Sequence, residues 1–181
     1  MTSTNDGSDL SSRIDLLLRQ VQDFPEPGVL FRDITPLLAD GPAFAETIEA
    51  IAATATTPVD LVVGIESRGF LLAAPVATAL GVGLALVRKA GKLPGPTVSE
   101  SYTLEYGTAT VEVHPFTVPS GSRVLVVDDV LATGGTAAAS VRLLERCGAQ
   151  IVQLTFLIEL LDLHGRAKLP DVPTTALLAL A

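Results

Sequence analysis

The chain of 181 residues has no tryptophan, one methionine, two histidines and one cysteine, Cys147. A single thiol forms no internal disulfide, and without a second thiol or clustered histidines nearby there is no zinc site of the usual spacing. Cys147 therefore reads as a small buried helix residue. Basic residues are outnumbered by acidic ones, 12 to 20, for a formal charge of -8. That balance argues against a nucleic-acid partner, because binding to its backbone rests on a basic surface that releases counterions. Long apolar runs are missing too: none reaches the ~18 residues that span a bilayer. The opening residues also lack a basic segment followed by an apolar core. These absences lead to the expectation of a cytoplasmic protein with no membrane partner.

Apolar residues make up 48% of the chain and charged residues 18%. That is enough to bury the core of a single domain, 1–181, with the polar start 1–9 as a disordered tail. Leu10, Ile14, Leu17, Leu18 and Val21 recur at helical spacing until Phe24-Pro-Glu-Pro-Gly28 stops the helix, and Phe44, Ile48, Ile51 and Ala52 mark a second one. Between them Val29 to Pro36 fits neither period and reads as a loop. Further on, short apolar runs alternate with helices. Strands are expected at Val59–Gly64, Gly83–Arg88, Arg123–Asp128 and Gln150–Ile158, with helices at Arg68–Leu80 and Gly135–Cys147. Strands separated by helices call for right-handed parallel crossovers. The expected fold is an α/β domain: an open, mostly parallel sheet flanked by helices. One section breaks the rhythm. Lys89 to Pro96 is rich in glycine, proline and lysine, and Tyr102 to Val113 alternates about Gly107 like a hairpin.

The stretch Val124-Leu-Val-Val-Asp-Asp-Val-Leu-Ala-Thr-Gly-Gly-Thr136 places two carboxylates at the end of an apolar run, just before a glycine turn that opens a helix. Ligands of open α/β sheets bind at the carboxyl ends of the strands. Free amides at the helix start, threonine hydroxyls and the positive end of the helix dipole make an anion site without lysine. The Walker pattern, which needs Gly-Lys-Ser or Gly-Lys-Thr, is not met by Gly134-Gly135-Thr136 or by Gly91-Lys92-Leu93, and the dinucleotide pattern Gly-x-Gly-x-x-Gly also fails. A signalling receiver domain would open with such an acidic pair and place an aspartate and a lysine on later strands. Downstream there are only Asp162, Asp171 and Lys168, none of them at the end of a convincing strand. A sugar phosphate resolves the conflict of charges. Carboxylates accept hydrogen bonds from vicinal hydroxyls, while the adjacent turn holds the 5-phosphate. The plainer alternative is a capped helix preceded by two solvated aspartates.

Val126-Val-Asp-Asp-Val-Leu-Ala-Thr-Gly-Gly-Thr136 resembles the phosphoribosyl pyrophosphate motif of the type I phosphoribosyltransferases. Three further stretches resemble the adenine-using branch of that family: Phe24 to Pro36, Gly64-Ile-Glu-Ser-Arg-Gly-Phe70, and Val87 to Pro96 with Ser101-Tyr-Thr-Leu-Glu-Tyr-Gly107. The resemblance implies transfer of a phosphoribosyl group to adenine in purine salvage, with Mg2+ held mainly through the substrate, and a homodimer. It implies that Asp128 and Asp129 hold the ribose hydroxyls and that Ala132, Thr133, Gly134, Gly135 and Thr136 wrap the 5-phosphate. Glu66, Ser67 and Arg68 would contact pyrophosphate, with Arg88, Lys89 and Lys92 adding charge. Leu30, Phe31 and Arg32, in a base-recognition hood at 24–36, would hold adenine together with Leu160. Glu105 and Tyr106 would lie on a mobile catalytic loop, 89–107, and act with Arg68 in catalysis.

Each role has an ordinary counterpart. Arg88, Lys89 and Lys92 could form a solvated loop, and Phe31 could be a core aromatic. Glu105 and Tyr106 are neighbours in an apparent strand, so they face opposite ways. Arg68 at a helix start opposes the dipole, which favours a ligand. Two other functions stay in view: transfer to a 6-oxo purine such as xanthine or guanine, and a non-catalytic regulator that senses phosphoribosyl pyrophosphate. The regulator would need a basic face or an added DNA-binding module.

Overall fold

The computed structural model describes residues 7–103 and 107–181. They form two compact units, one ending at Ala50 and a larger one, Ile51–Ala181.

The first unit holds α1 (Gly7–Leu16), β1 (Arg19–Gln22), β2 (Leu30–Asp33), α2 (Thr35–Ala39) and most of α3 (Gly41–Ala53). The helical spacing from Leu10 to Val21 predicts one helix, but α1 begins earlier, at Gly7, and ends at Leu16. Its last turn closes where the Leu17 and Leu18 amides donate to the carbonyls of Arg13, Ile14 and Asp15. Arg19–Gln22 instead pairs antiparallel with Leu30–Asp33, setting Val21 opposite Phe31. Strand pairing satisfies the backbone of a segment whose β-branched Val21 suits a pleat, and this outweighs the apolar spacing. Val29 to Pro36 has no single period because β2 runs almost directly into α2, which takes Pro36 in its first turn. The Asp40 carboxylate accepts the Ala43 amide at 2.9 Å and so caps α3. Arg13 and Glu46 form an ion pair between α1 and α3.

The second unit is a seven-stranded sheet in the order β5-β6-β4-β3-β7-β8-β9. Its strands are β3 (Leu61–Ile65), β4 (Gly83–Lys89), β5 (Val98–Thr103), β6 (Thr108–Val113), β7 (Arg123–Leu131), β8 (Gln150–Leu160) and β9 (Thr174–Leu180). The run β4-β3-β7-β8-β9 is parallel, and β5 and β6 extend the sheet as an antiparallel pair beyond β4. The open, mostly parallel sheet is the one expected. All five residues of β3 are buried, as a central parallel strand requires.

Two helices, α4 (Gly69–Leu80) and α5 (Gly135–Arg146), cover the sheet. Leu61, Val63, Ile65, Val124 and Val126 join Ala139, Val141, Leu143 and Leu144 of α5 in one core. The alternate residues of β3 face α4: a Cβ at Gly64 would come 2.8 Å from the Ala73 Cβ, so only glycine lets α4 seat this close.

Several boundaries differ from expectation. β3 is shifted to Leu61–Ile65, β7 and β8 run on to Leu131 and Leu160, and β9 occupies a tail with no diagnostic pattern. β9 joins β8 through two 3-10 turns rather than a helix, so the alternation of strand and helix gives no hint of it.

Candidate functional site

Asp128 and Asp129 lie near the carboxyl end of β7, inside the strand rather than beyond it. The pleat sends adjacent side chains to opposite faces. Asp129 is 6% exposed, so it is not a solvated aspartate. Its Oδ2 lies 2.7 Å from the Arg68 Nε, an ion pair without hydrogen-bond alignment. Asp128 is half-buried, and its Oδ1 accepts the Asp129 amide at 2.9 Å. The start of α4 presses on the pair: a Cβ at Gly69 would meet Asp128 Oδ1 at 2.7 Å and the Val127 carbonyl at 2.9 Å. Burial raises the proton affinity of both carboxyls. The neighbouring charge of Asp129 raises Asp128 further, whereas the Arg68 guanidinium opposes the rise at Asp129. A pair that resists holding two bare charges is suited to accepting hydrogen bonds from hydroxyls.

At the end of β7, Asp128 and Val130 to Ala137 line a cavity of about 80 Å³. The chain turns there through Gly134 at φ 75, and α5 starts at Gly135. A helix start has amides with no intrahelical partner, and this one lines the cavity together with Asp128. Ala132, Thr133, Gly134, Gly135 and Thr136 are thus one continuous turn. Tyr102 of β5 reaches it: its hydroxyl lies 2.9 Å from the Thr136 Oγ1. Glu100 accepts Arg142 Nε and Arg146 Nη1, each at 2.8 Å, fastening β5 to α5. Tyr102→Phe is expected to lower the unfolding free energy by about 1 kcal/mol, the net worth of one hydrogen bond, measured by urea unfolding.

Glu66, Ser67, Arg68, Lys89, Asp128, Asp129 and Thr136 line a second cavity of about 340 Å³. Seven residues from four parts of the sequence meet there. The Glu66 carboxylate accepts Arg88 Nε at 3.3 Å, Arg88 Nη2 at 3.1 Å and the Lys89 amide at 2.8 Å. Burial alone would raise this carboxyl, but the bonds from Arg88 and Lys89 outweigh it and hold the carboxyl below its ordinary range. Glu66 therefore orients the basic loop, whose Lys89 lines this cavity together with Arg68. Arg88 Nη1 also donates to the Lys92 carbonyl at 3.1 Å. The Lys92 side chain is exposed and is not among the residues lining this cavity.

Glu112, which sequence reasoning missed, anchors the same loop. It is 7% exposed and accepts the Lys92 and Leu93 amides, both at 3.1 Å, and the Thr97 hydroxyl at 3.3 Å. The available signal was a carboxylate between two valines in a strand, Val111-Glu112-Val113.

Leu30, Phe31 and Arg32 lie together on β2, where Phe24 packs edge-to-face on Phe31 with ring centroids 5.1 Å apart. These residues belong to the first unit; Leu160, the last residue of β8, belongs to the second. Glu105 and Tyr106 lie outside the described residues. Cys147 is half-buried at the end of α5, and burial pushes its thiol up, away from reactive thiolate character.

The phosphoribosyl transferase domain model matches residues 37–174. The adenine phosphoribosyltransferase of Thermobifida fusca is 55% identical over 171 residues, covering 94% of this chain and 97% of its own. Among solved structures, the adenine phosphoribosyltransferase of Rhodothermus marinus superimposes with a TM-score of 0.92 at 47% identity, covering 96% of this chain and 99% of its own. The Saccharomyces cerevisiae enzyme, solved with adenine and an imino-altritol bisphosphate, gives a TM-score of 0.88 at 40% identity and covers 94% and 99%. With likeness on this scale extending over the carboxylate pair, the glycine turn and the basic loop, the chain belongs to the adenine phosphoribosyltransferase family of phosphoribosyl transferases.

Proposed function

We propose that this protein joins adenine to 5-phosphoribosyl 1-pyrophosphate, giving AMP and pyrophosphate in purine salvage. The observation that carries this reading is the pair of half-buried Asp128 and buried Asp129, set between the glycine turn 132–136 and the cavity bearing Arg68 and Lys89. Three chemically different ends of one substrate then have three neighbouring receptors. Asp128 and Asp129 accept the ribose hydroxyls, the turn takes the 5-phosphate, and Ser67, Arg68 and Lys89 face the pyrophosphate, with Lys92 adding charge from the adjoining loop and Glu66 holding Arg88 in place.

Displacement at the anomeric carbon builds positive charge on the sugar and negative charge on the departing pyrophosphate. Arg68 and the basic loop stabilise the leaving group, and the carboxylates keep the ribose fixed in line. Among the described residues, no group of three or more His, Cys, Asp or Glu side chains could hold a metal ion by itself. The oxygen donors Asp128 and Asp129 fit Mg2+ coordinated chiefly through substrate oxygens. When bound, Mg2+ supplies neutralisation of leaving-group charge.

Leu30, Phe31 and Arg32 follow one another on β2. Strand backbone groups can both donate and accept, as the edge of adenine requires, with Phe31 contributing an apolar face. In this reading 24–36 is the base-recognition hood of the single functional domain. The segment 89–107, a loop followed by β5, covers bound substrates and excludes water from the anomeric carbon in this reading. Glu105 handles the proton on the purine, with Tyr106 beside it. Glu105→Gln is expected to lower kcat about a hundredfold with little change in phosphoribosyl pyrophosphate affinity, as steady-state kinetics would show. Unchanged kcat would remove Glu105 from that role.

No helix among the described residues is long and apolar enough to cross a membrane. A cytoplasmic setting suits a substrate with three charged phosphates, which a bilayer retains. Leu71 on α4 and Leu84 on β4 are exposed apolar residues that a second copy could cover in the homodimer this reading includes.

The test is to supply Mg2+, 5-phosphoribosyl 1-pyrophosphate and each purine base in turn. The expected product is AMP from adenine alone; inosine or guanosine monophosphate from the 6-oxo bases would overturn the assignment.

A further inference from the structure

After Leu160 the chain makes two 3-10 turns, Leu161–Leu163 and Gly165–Lys168, joined at His164 with φ 49. Gly165 is buried at this corner, and its backbone rests on the turn 132–136. A Cβ on Gly165 would lie 2.0 Å from the Ala132 carbonyl oxygen and 2.9 Å from the Gly134 nitrogen. A Cβ on Gly134 would lie 2.1 Å from the Gly165 carbonyl oxygen. Neither side of this contact has room for a methyl group.

Arg166, the next residue, could be taken for a phosphate ligand because of where it stands. Its donors are engaged elsewhere. Nε donates to Glu159 Oε1 at 3.0 Å, Nη2 donates to Glu159 Oε2, and Nη1 donates to the Thr174 carbonyl at 2.8 Å. Glu159 is 7% exposed and sits in β8, while Thr174 opens β9. A two-pronged guanidinium clamp on two sheet strands thus fixes the corner whose backbone abuts the turn.

We infer that Arg166 and Glu159 are positioning residues for the 5-phosphate site, acting through Gly165 on the Ala132–Thr136 turn. A site made of backbone amides binds phosphate only while those amides converge, and they converge only if something rigid stands behind them. The corner supplies that backing, and the clamp holds the corner. The inference rests on the reading of 132–136 as the 5-phosphate site.

The two halves of the substrate separate this role from general stability. Ribose 5-phosphate probes the turn and pyrophosphate the basic loop, each titrated calorimetrically with Mg2+ into the wild type, Arg166→Ala, Arg166→Lys and Glu159→Gln. Arg166→Ala and Glu159→Gln are expected to weaken ribose 5-phosphate binding about tenfold or more, with pyrophosphate binding within about twofold of wild type. Arg166→Lys, which keeps the charge but not the fork, should fall between wild type and Arg166→Ala. If Arg166→Ala leaves a buried unpaired Glu159 and fails to fold, the isosteric Glu159→Gln and the charge-retaining lysine variant carry the test. Wild-type ribose 5-phosphate affinity in those folded variants overturns the inference, and so does an equal loss of both ligands. A wild-type protein that binds no ribose 5-phosphate overturns the underlying reading of the turn instead.

Discussion

Replacing both carboxylates, Asp128→Asn with Asp129→Asn, is expected to reduce kcat/KM for 5-phosphoribosyl 1-pyrophosphate by about three orders of magnitude. A hydrogen bond to a charged acceptor contributes about 1.5–3 kcal/mol. Two of them therefore correspond to roughly 10² to 10⁴ in rate at about 1.4 kcal/mol per decade. The single variant Asp128→Asn separates function from stability. Burial, and then the charge of Asp129, raise the proton affinity of the Asp128 carboxyl in the folded chain. A carboxyl whose folded pKa lies above its unfolded value contributes stability at low pH that is lost as pH rises through the folded value. Asparagine has no such loss. The variant should thus become more stable than wild type as pH rises above about 4, the unfolded aspartate value, and should stay so at neutral pH. It should be less active over the same range. Urea unfolding across pH, set beside kinetics, checks both signs, and a variant that is less stable at neutral pH would contradict the account of the pair.

Gly134→Ala is expected to raise the KM for 5-phosphoribosyl 1-pyrophosphate by about a hundredfold or more and to destabilise the fold by about 2–4 kcal/mol. Two costs combine. At φ 75 an alanine adopts the left-handed region, for about 1–2 kcal/mol. Its Cβ would also sit 2.1 Å from the Gly165 carbonyl oxygen, so backbone must move on one side or the other. Gly81, which ends α4, is the control: its φ is 68, yet nothing lies within 4 Å of a Cβ there. Gly81→Ala should show the conformational cost alone and leave KM nearly unchanged. Urea unfolding and initial-rate kinetics on the two variants measure the difference. Equal effects would mean that the close approach at Gly134 is irrelevant.

The parallel sheet was legible because β3, β7 and β8 are short apolar runs separated by helical ones. The N-terminal unit was less legible. Its β1 and β2 are each four residues long and hold together by pairing with one another, a contact that local spacing does not encode. β9 was hidden because it follows turns and prolines, and its register is set by β8. At the site, the juxtaposition of the acidic pair and the glycine turn at the end of β7 could be read from residue type and order alone. Their supports could not. Glu112 under the basic loop and Glu159 with Arg166 behind the turn are carboxylates in strands. Only the fold shows that each accepts hydrogen bonds from a residue outside its own strand. Glu66 shows the same limit: its place in the motif suggested pyrophosphate, whereas its carboxylate is engaged by Arg88 and the Lys89 amide.

The central claim is that one ribose phosphate is divided between Asp128-Asp129 and the turn 132–136. A crystal structure with ribose 5-phosphate and Mg2+ tests this most directly. The account predicts the ribose hydroxyls within hydrogen-bond distance of the two carboxylates and the phosphate on the amides of Thr133 to Thr136. A phosphate seated instead on the Arg88–Lys92 loop, with the carboxylates touching no hydroxyl, would contradict it.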